Sequence, residues 1–188
     1  MFSIFNRFKK KIRIKGKCDE SIVMTRQGRS SVSNFKSNFV YTALLQEDTR
    51  LENGDLFEVL MNGKPQFFLS VSVRRADMST QATIYQCNGF ALIYRPTEIH
   101  DANDNVTSTK WTRVGCAHVN HMIINDFMRV LDAGLLPSTT KEFRMQKCDI
   151  KLLDRIILDG DKYVVDAIDN TKFDGLLAVQ TSIDNRSF

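Results

Sequence analysis

The chain has 188 residues, of which 43% are hydrophobic and 26% charged, with a formal net charge of +4. That composition excludes a disordered chain and a coiled coil, and no apolar run approaches the roughly 20 residues needed to cross a bilayer. Residues 1–17 carry seven cations (Arg7, Lys9, Lys10, Lys11, Arg13, Lys15 and Lys17) and no acid, which leaves −3 for residues 18–188. The cationic excess therefore belongs to one end of the chain, and a uniformly basic nucleic-acid-binding surface is excluded.

Residues 1–17 read MFSIFNRFKKKIRIKGK. Phe2, Phe5, Phe8 and Ile12 fall near helical spacing, while KKIRIKGK alternates apolar and basic residues as an exposed edge strand does. Three Phe in a solvated tail are unusual, so this segment is expected to dock on a partner. Phe2, Phe5 and Phe8 would anchor it, and Lys9, Lys10, Lys11 and Arg13 would meet an acidic neighbour or phosphate. A plain solvated tail and a membrane-surface helix are the competing readings. The start of the chain shows no long apolar core with a small-residue cleavage site. The four scattered cysteines (Cys18, Cys87, Cys116 and Cys148) are accordingly expected to be reduced thiols of a cytosolic product.

Residues 19–38 are polar, and RQGRSSVSN has the composition of a connecting loop. From residue 39 the period turns to two. FVYTALLQ and LFEVLM are strand-like, and Asn62-Gly63 suits a two-residue hairpin turn because both central residues need positive φ. QFFLSVSV, ATIYQC and FALIYRP continue the β pattern, residues 100–109 read as a polar loop, and KWTRVGCAHV reads as another strand. Between Asn120 and Leu136 the apolar residues Ile123, Ile124, Phe127, Val130 and Leu131 recur at helical spacing, and Gly134 and Pro137 supply stop signals. A core-facing or connecting helix is expected there.

The C-terminal 40 residues restate an earlier unit. LENGDLFEVLMNGKPQFFLSVSV, with QATIYQ after it, has the same order of features as KLLDRIILDGDKYVVDAID followed by GLLAVQ. An acid precedes a strand (Asp55; Asp154), a Gly-containing turn follows (Asn62-Gly63; Asp159-Gly160), then an aromatic-plus-valine strand and a third strand ending in Gln86 or Gln180. The offset is about 97 residues, as for two domains of that size. The expected fold is mainly β: two small antiparallel barrel- or sandwich-like units, one connecting helix and an N-terminal arm. The boundaries so read are 1–38 for the arm and linker, 39–119 for the first β-unit, 120–141 for the helix and linker, and 142–188 for the second.

Chemistry-bearing clusters are few. Cys116, His118 and His121 form a C-x-H-x-x-H set that suits zinc, but a strand would put the first two on one face and leave His121 in the turn before the helix. Walker-type, GxGxxG, GxSxG and HExxH motifs are absent from the sequence, so neither catalysis nor a cofactor is expected. Tyr85, Tyr94 and Trp111, with Arg74, Arg75, Arg95, Lys110 and Arg113 near strand ends, would suit a single-strand nucleic-acid-binding barrel. The same residues also suit a filled core and guarded edges.

Asp154, Ile156, Gly160, Tyr163 and Val165 follow the spacing D-x-I-x-x-x-G-x-x-Y-x-V. In this the C-terminal segment resembles the small β-barrel proteins of the head–tail connector, or neck, of tailed bacteriophages; Asp55, Phe57, Gly63, Phe67 and Leu69 match more loosely. The resemblance covers about 35 residues well and implies a structural virion protein, made in the host cytoplasm, that forms a homo-oligomeric ring. Such a ring joins portal and tail proteins as a head-closure or adaptor layer, lets genomic DNA pass without specific binding, and uses no membrane, metal or cofactor. A tail-terminator or tail-junction protein is the neighbouring reading.

Overall fold

A computed structural model describes residues 7–26 and 39–186. Twelve strands form two closed six-stranded antiparallel barrels. The first contains β1 (Lys10–Ile14), β2 (Asp19–Arg26), β3 (Val40–Leu45), β4 (Leu56–Met61), β5 (Lys64–Ala76) and β6 (Ser79–Gln86). The second contains β7 (Gly89–His100), β8 (Val106–Ile123), β9 (Lys141–Gln146), β10 (Arg155–Leu158), β11 (Asp161–Asp169) and β12 (Leu176–Ile183), with α1 (Asp126–Leu131) between β8 and β9. Numbered one to six within each barrel, the strands close in the same order, 1-2-3-6-5-4 and back to 1. The units divide between Asn88 and Gly89, and the short segment Phe173–Leu176 counts with the first.

Two boundaries differ from the sequence expectation. KKIRI is not an edge: β1 pairs with β2 on one side and β4 on the other, and Ile12 and Ile14 are buried in the first core. Closure gives that strand its second neighbour, which local alternation does not encode. Likewise β7 and most of β8, expected within a first unit of 39–119, belong to the second barrel. Hairpin grammar says that a strand exists but not which sheet it joins.

The expected helix over 120–136 is also corrected. Asn120 to Ile123 finish β8, and α1 has six residues, capped by the Asn125 side chain accepting from the Met128 N–H. None of its residues is buried; Phe127, Val130 and Leu131 stand exposed. The apolar period was real, but it marks an external stripe rather than a core face.

Each core is filled by inward positions. In the first barrel Phe57 and Phe68 stack at 5.6 Å with an interplanar angle of 16°, and Tyr41 meets Phe68 edge-on. In the second, Phe143 packs edge-to-face on Tyr163 at 5.6 Å, beside Ile93, Ile156, Val165 and Val179. Truncating one of the buried Phe to Ala costs about 3–5 kcal/mol.

The β4–β5 and β10–β11 hairpins are built alike, down to individual hydrogen bonds. Their turns hold positive φ at both central residues: 52° and 75° at Asn62-Gly63, 52° and 93° at Asp159-Gly160. Ahead of each, a residue with positive φ precedes the acid: Gly54 at 84° before Asp55, Leu153 at 68° before Asp154. The Asp carboxylate accepts from the N–H three residues back, Glu52 or Lys151, at 2.8 Å in both. Its carbonyl accepts from the opposite strand at 2.9 Å in both, from Ser70 N–H or Val165 N–H. The acid noticed in both repeats is thus the residue that closes a loop onto a strand.

Candidate functional site, an anchored ribbon

The same Asp in each barrel receives a cation from the first hairpin. Lys17 Nζ donates to Asp55 at 2.9 Å, to Glu52 at 2.6 Å and to the Arg50 carbonyl at 2.8 Å. Arg95, on β7, holds Asp154 with two bonds, Nε–Oδ1 at 3.0 Å and Nη2–Oδ2 at 2.9 Å. It also donates to the Asp149 carboxylate at 3.0 Å and carbonyl at 2.8 Å. Arg50 and Asp149 lie five residues before their respective Asp, so both cations grip equivalent carbonyls. Hydrogen bonding to Arg95 holds the Asp149 carboxyl below the usual range.

In the second barrel this cation sits at the root of a projection. β7 and β8 continue past the barrel wall: Arg95 pairs with Thr112, Pro96 with Trp111, Thr97 with Lys110, and the ladder runs on to His100 and Val106. The ladder to β10 spans Leu92 to Tyr94, and that to β9 spans Asn120 to Ile123. Residues 97–110 are exposed at every position. The result is a two-stranded ribbon whose outer edges face solvent, with Pro96, which has no N–H to give, at its base. An isolated two-stranded hairpin is marginal in water, and two devices hold this one in shape.

One device is the tip. Asp101 Oδ1 accepts from the N–H groups of Asn103 at 2.8 Å and Asn105 at 2.9 Å, and those bonds lower its pKa, Asn105 contributing most. Asp104 adopts φ 64° within the turn, and Asp tolerates that conformation better than most residues. The expected loop over 100–109 is therefore a turn of five residues, with its C-terminal part in the ladder.

The other device is the root. Arg155 on β10 is wholly buried; its Nε donates to Asp184 at 2.7 Å, and its guanidinium lies 3.6 Å from the centre of the Trp111 ring on β8. Arg186 approaches the same ring at 4.9 Å and also binds Asp184 through Nε and Nη2, each at 2.8 Å. Burial works against the charged form of Asp184, but the bonds from Arg186 and Arg155 outweigh it and hold the carboxyl far below its ordinary range. Both ribbon strands are thereby clamped, β7 through Arg95 and β8 through Trp111.

A cleft of about 740 Å³ opens beside the clamp, lined by Arg95, Pro96, Trp111, Lys151, Leu153 and Arg186, among others. Arg95 and Arg186 are matched by carboxylates, and the indole already meets two guanidinium groups. The arrangement is suited to fixing a strand rather than to receiving an anion or stacking a base.

The residues singled out in the sequence are distributed otherwise. Phe2 and Phe5 lie outside the described residues. Phe8 is 67% exposed; Lys11 and Arg13 point outward from β1, Lys9 and Lys10 are half-buried, and Asp19 lies 3.8 Å from Arg13. Cys116, His118 and His121 all lie on β8, where the strand period puts His121 on the opposite face, beside Phe143 at 5.9 Å. Among the described residues no group of three His, Cys, Asp or Glu is placed to hold a metal. The sequence signal for the ribbon is the mostly polar TEIH and VTSTK, in which Ile99 and Val106 are the apolar residues and both are exposed.

No protein-family model matches the chain, and no curated protein does. Among solved structures it is similar to MrkH, described as a c-di-GMP-dependent transcription regulatory factor, with 7% identity over 100% of this chain and 82% of that one. The TM-score is 0.27, a value that carries no statement about fold or function.

Proposed function

We propose that this chain is a non-enzymatic assembly subunit, a structural virion protein that forms a ring in the neck of a tailed phage and joins head to tail. The observation that carries the assembly reading is the anchored ribbon: a clamped root and a shaped tip present strands exposed at every position, with open edges. Such edges recruit other chains. The neck assignment rests on the pattern of Asp154, Ile156, Gly160, Tyr163 and Val165, which the fold puts to use in the β10–β11 hairpin. Portal and tail proteins would flank the ring, and DNA would pass through it unbound.

The single-strand nucleic-acid reading has less support. Of the residues it needs, Arg95 is held by Asp149 and Asp154 and Trp111 by Arg155 and Arg186. Light scattering of the full chain across a concentration series tests the proposal. An oligomer of defined mass, with no salt-sensitive oligonucleotide binding, is expected. A monomer at every concentration, or tight salt-dependent binding of single strands, would overturn it. The docking role of the arm is testable by removing residues 1–8; a longer truncation takes Ile12 and Ile14 out of the first core.

A further inference from the structure

The two edges of the ribbon differ in charge. The β7 edge carries Glu98 and leads into Asp101 and Asp104, while the β8 edge carries Lys110 and Arg113. Arg95, at the foot of the β7 edge, is turned onto Asp149 and Asp154. His100 lies 3.6 Å from Glu98 and 3.3 Å from Asp104, on the same side of the ribbon as these acids.

Both barrels are closed, and a closed barrel has no edge to offer. Among the described residues the ribbon is where two-sided pairing runs out over a long exposed stretch. A strand edge is completed by another strand edge, and the chain's own complementary edge lies on the other side of the same ribbon. We propose that the β7 edge of one copy pairs with the β8 edge of the next, so that ribbons of successive copies form one continuous sheet. This rests on the assembly reading above and specifies its interface.

Charge selects this arrangement over the symmetric ones. Pairing β8 with β8 of a second copy sets Lys110 and Arg113 against their equivalents, and pairing β7 with β7 opposes the acids. Like charges across a strand pair are destabilising. Pairing β7 with β8 sets acids against bases and is head-to-tail. A head-to-tail contact repeats until it closes into a ring or continues as a filament. The Thr and Ser side chains along both edges can meet neighbours or solvent alike, so the pairing needs no apolar match.

Two charge-reversed chains test it. One carries Thr97→Lys with Glu98→Lys, making both edges basic; the other carries Lys110→Glu with Arg113→Glu, making both acidic. These positions are exposed and lie outside the clamp, so each variant should keep the circular dichroism and melting temperature of the parent. By light scattering, each alone is expected to need at least about tenfold higher concentration to assemble, equivalent to about 1.4 kcal/mol. An equimolar mixture is expected to regain assembly at concentrations near the parent's, because each junction between the two variants joins unlike edges.

A third chain, with residues 97–110 replaced by Asn-Gly, is expected to stay folded and monomeric. If that shortened chain still assembles, the ribbon inference fails and the assembly reading stands. If the parent itself is monomeric throughout, both fail. If the first variant assembles like the parent while the shortened chain does not, head-to-tail edge pairing is overturned in favour of a contact that does not use the β7 acids.

Discussion

In the first barrel the opening hairpin, β1–β2, turns back across residues 15–18; in the second, the equivalent β7–β8 hairpin runs out to His100 and returns from Val106. Strand order, the paired positive-φ turns, and the Asp that takes a loop N–H and a cation are held in common. Of the fifteen large hydrophobics exposed among the described residues, twelve belong to the second unit, from Phe90 to Ile183. Among the described residues, exposed apolar surface is thus concentrated on the second unit. A shared scaffold leaves its hairpins free to lengthen, because the core depends on the six wall segments and not on what extends beyond them.

The sharpest way to break the comparison is at Arg155. Counted from the turn, it occupies the fourth hairpin pair, opposite Val164, as Glu58 does opposite Phe67. Removing one partner of a buried ion pair costs about 3–5 kcal/mol, so Arg155→Ala or Asp184→Ala is expected to unfold the second barrel first. Trp111, the single Trp and a ring that Arg155 covers, would report this by fluorescence. Glu58→Ala, at the equivalent place, is expected to shift stability by about 0.5 kcal/mol or less. Equal effects at the two sites would deny the clamp any special role.

A second contrast lies one residue before each Asp. A Cβ on Gly54 would stand 2.3 Å from the Gly175 carbonyl oxygen, and φ is 84° there. Gly54→Ala is expected to cost about 2 kcal/mol or more, in the range of strained or overpacked sites. Leu153 holds φ 68° with its side chain 62% exposed. Leu153→Gly relieves about 1–2 kcal/mol of left-handed strain against about 0.5–1 kcal/mol of chain entropy, so denaturant titration should show an unchanged or slightly raised midpoint. A large loss there would mean that Leu153 already packs on something in solution.

Acid should separate the barrels more gently. Asp101, Asp132, Asp149, Asp169 and Asp184 of the second unit are held below their ordinary range, and among the described residues of the first unit Glu52 alone is. A carboxylate with a depressed folded pKa stabilises fully above its unfolded value, near 4, and that contribution is lost as pH falls through the folded value. The second barrel is accordingly expected to lose stability first between about pH 4 and pH 2, read as Trp111 fluorescence changing ahead of the far-ultraviolet signal. Coincident transitions would count against it. Most of these groups are exposed, so Asp184 should dominate, and Asp184→Asn, which weakens the second barrel at every pH, should flatten that barrel's loss of stability between about pH 4 and pH 2.

By itself, the sequence determined the class and the local parts. Period-two runs, Asn62-Gly63 and Asp159-Gly160 specified antiparallel hairpins, and the repeated order of Asp, turn and aromatic strand marked two like units, because turn chemistry and strand alternation are written in adjacent residues. Tertiary structure decided closure, and with it the place of β1, the join at residues 88 and 89, and the fate of the apolar stripe at Phe127, Val130 and Leu131. It also decided the clamp. Arg155, Trp111, Asp184 and Arg186 are 2 to 75 residues apart in the chain and meet because the barrel brings β8, β10 and the segment after β12 to one end. Hydrophobic pattern fixes which face of a strand turns inward, but which buried charge answers which carboxylate depends on register between strands distant in sequence.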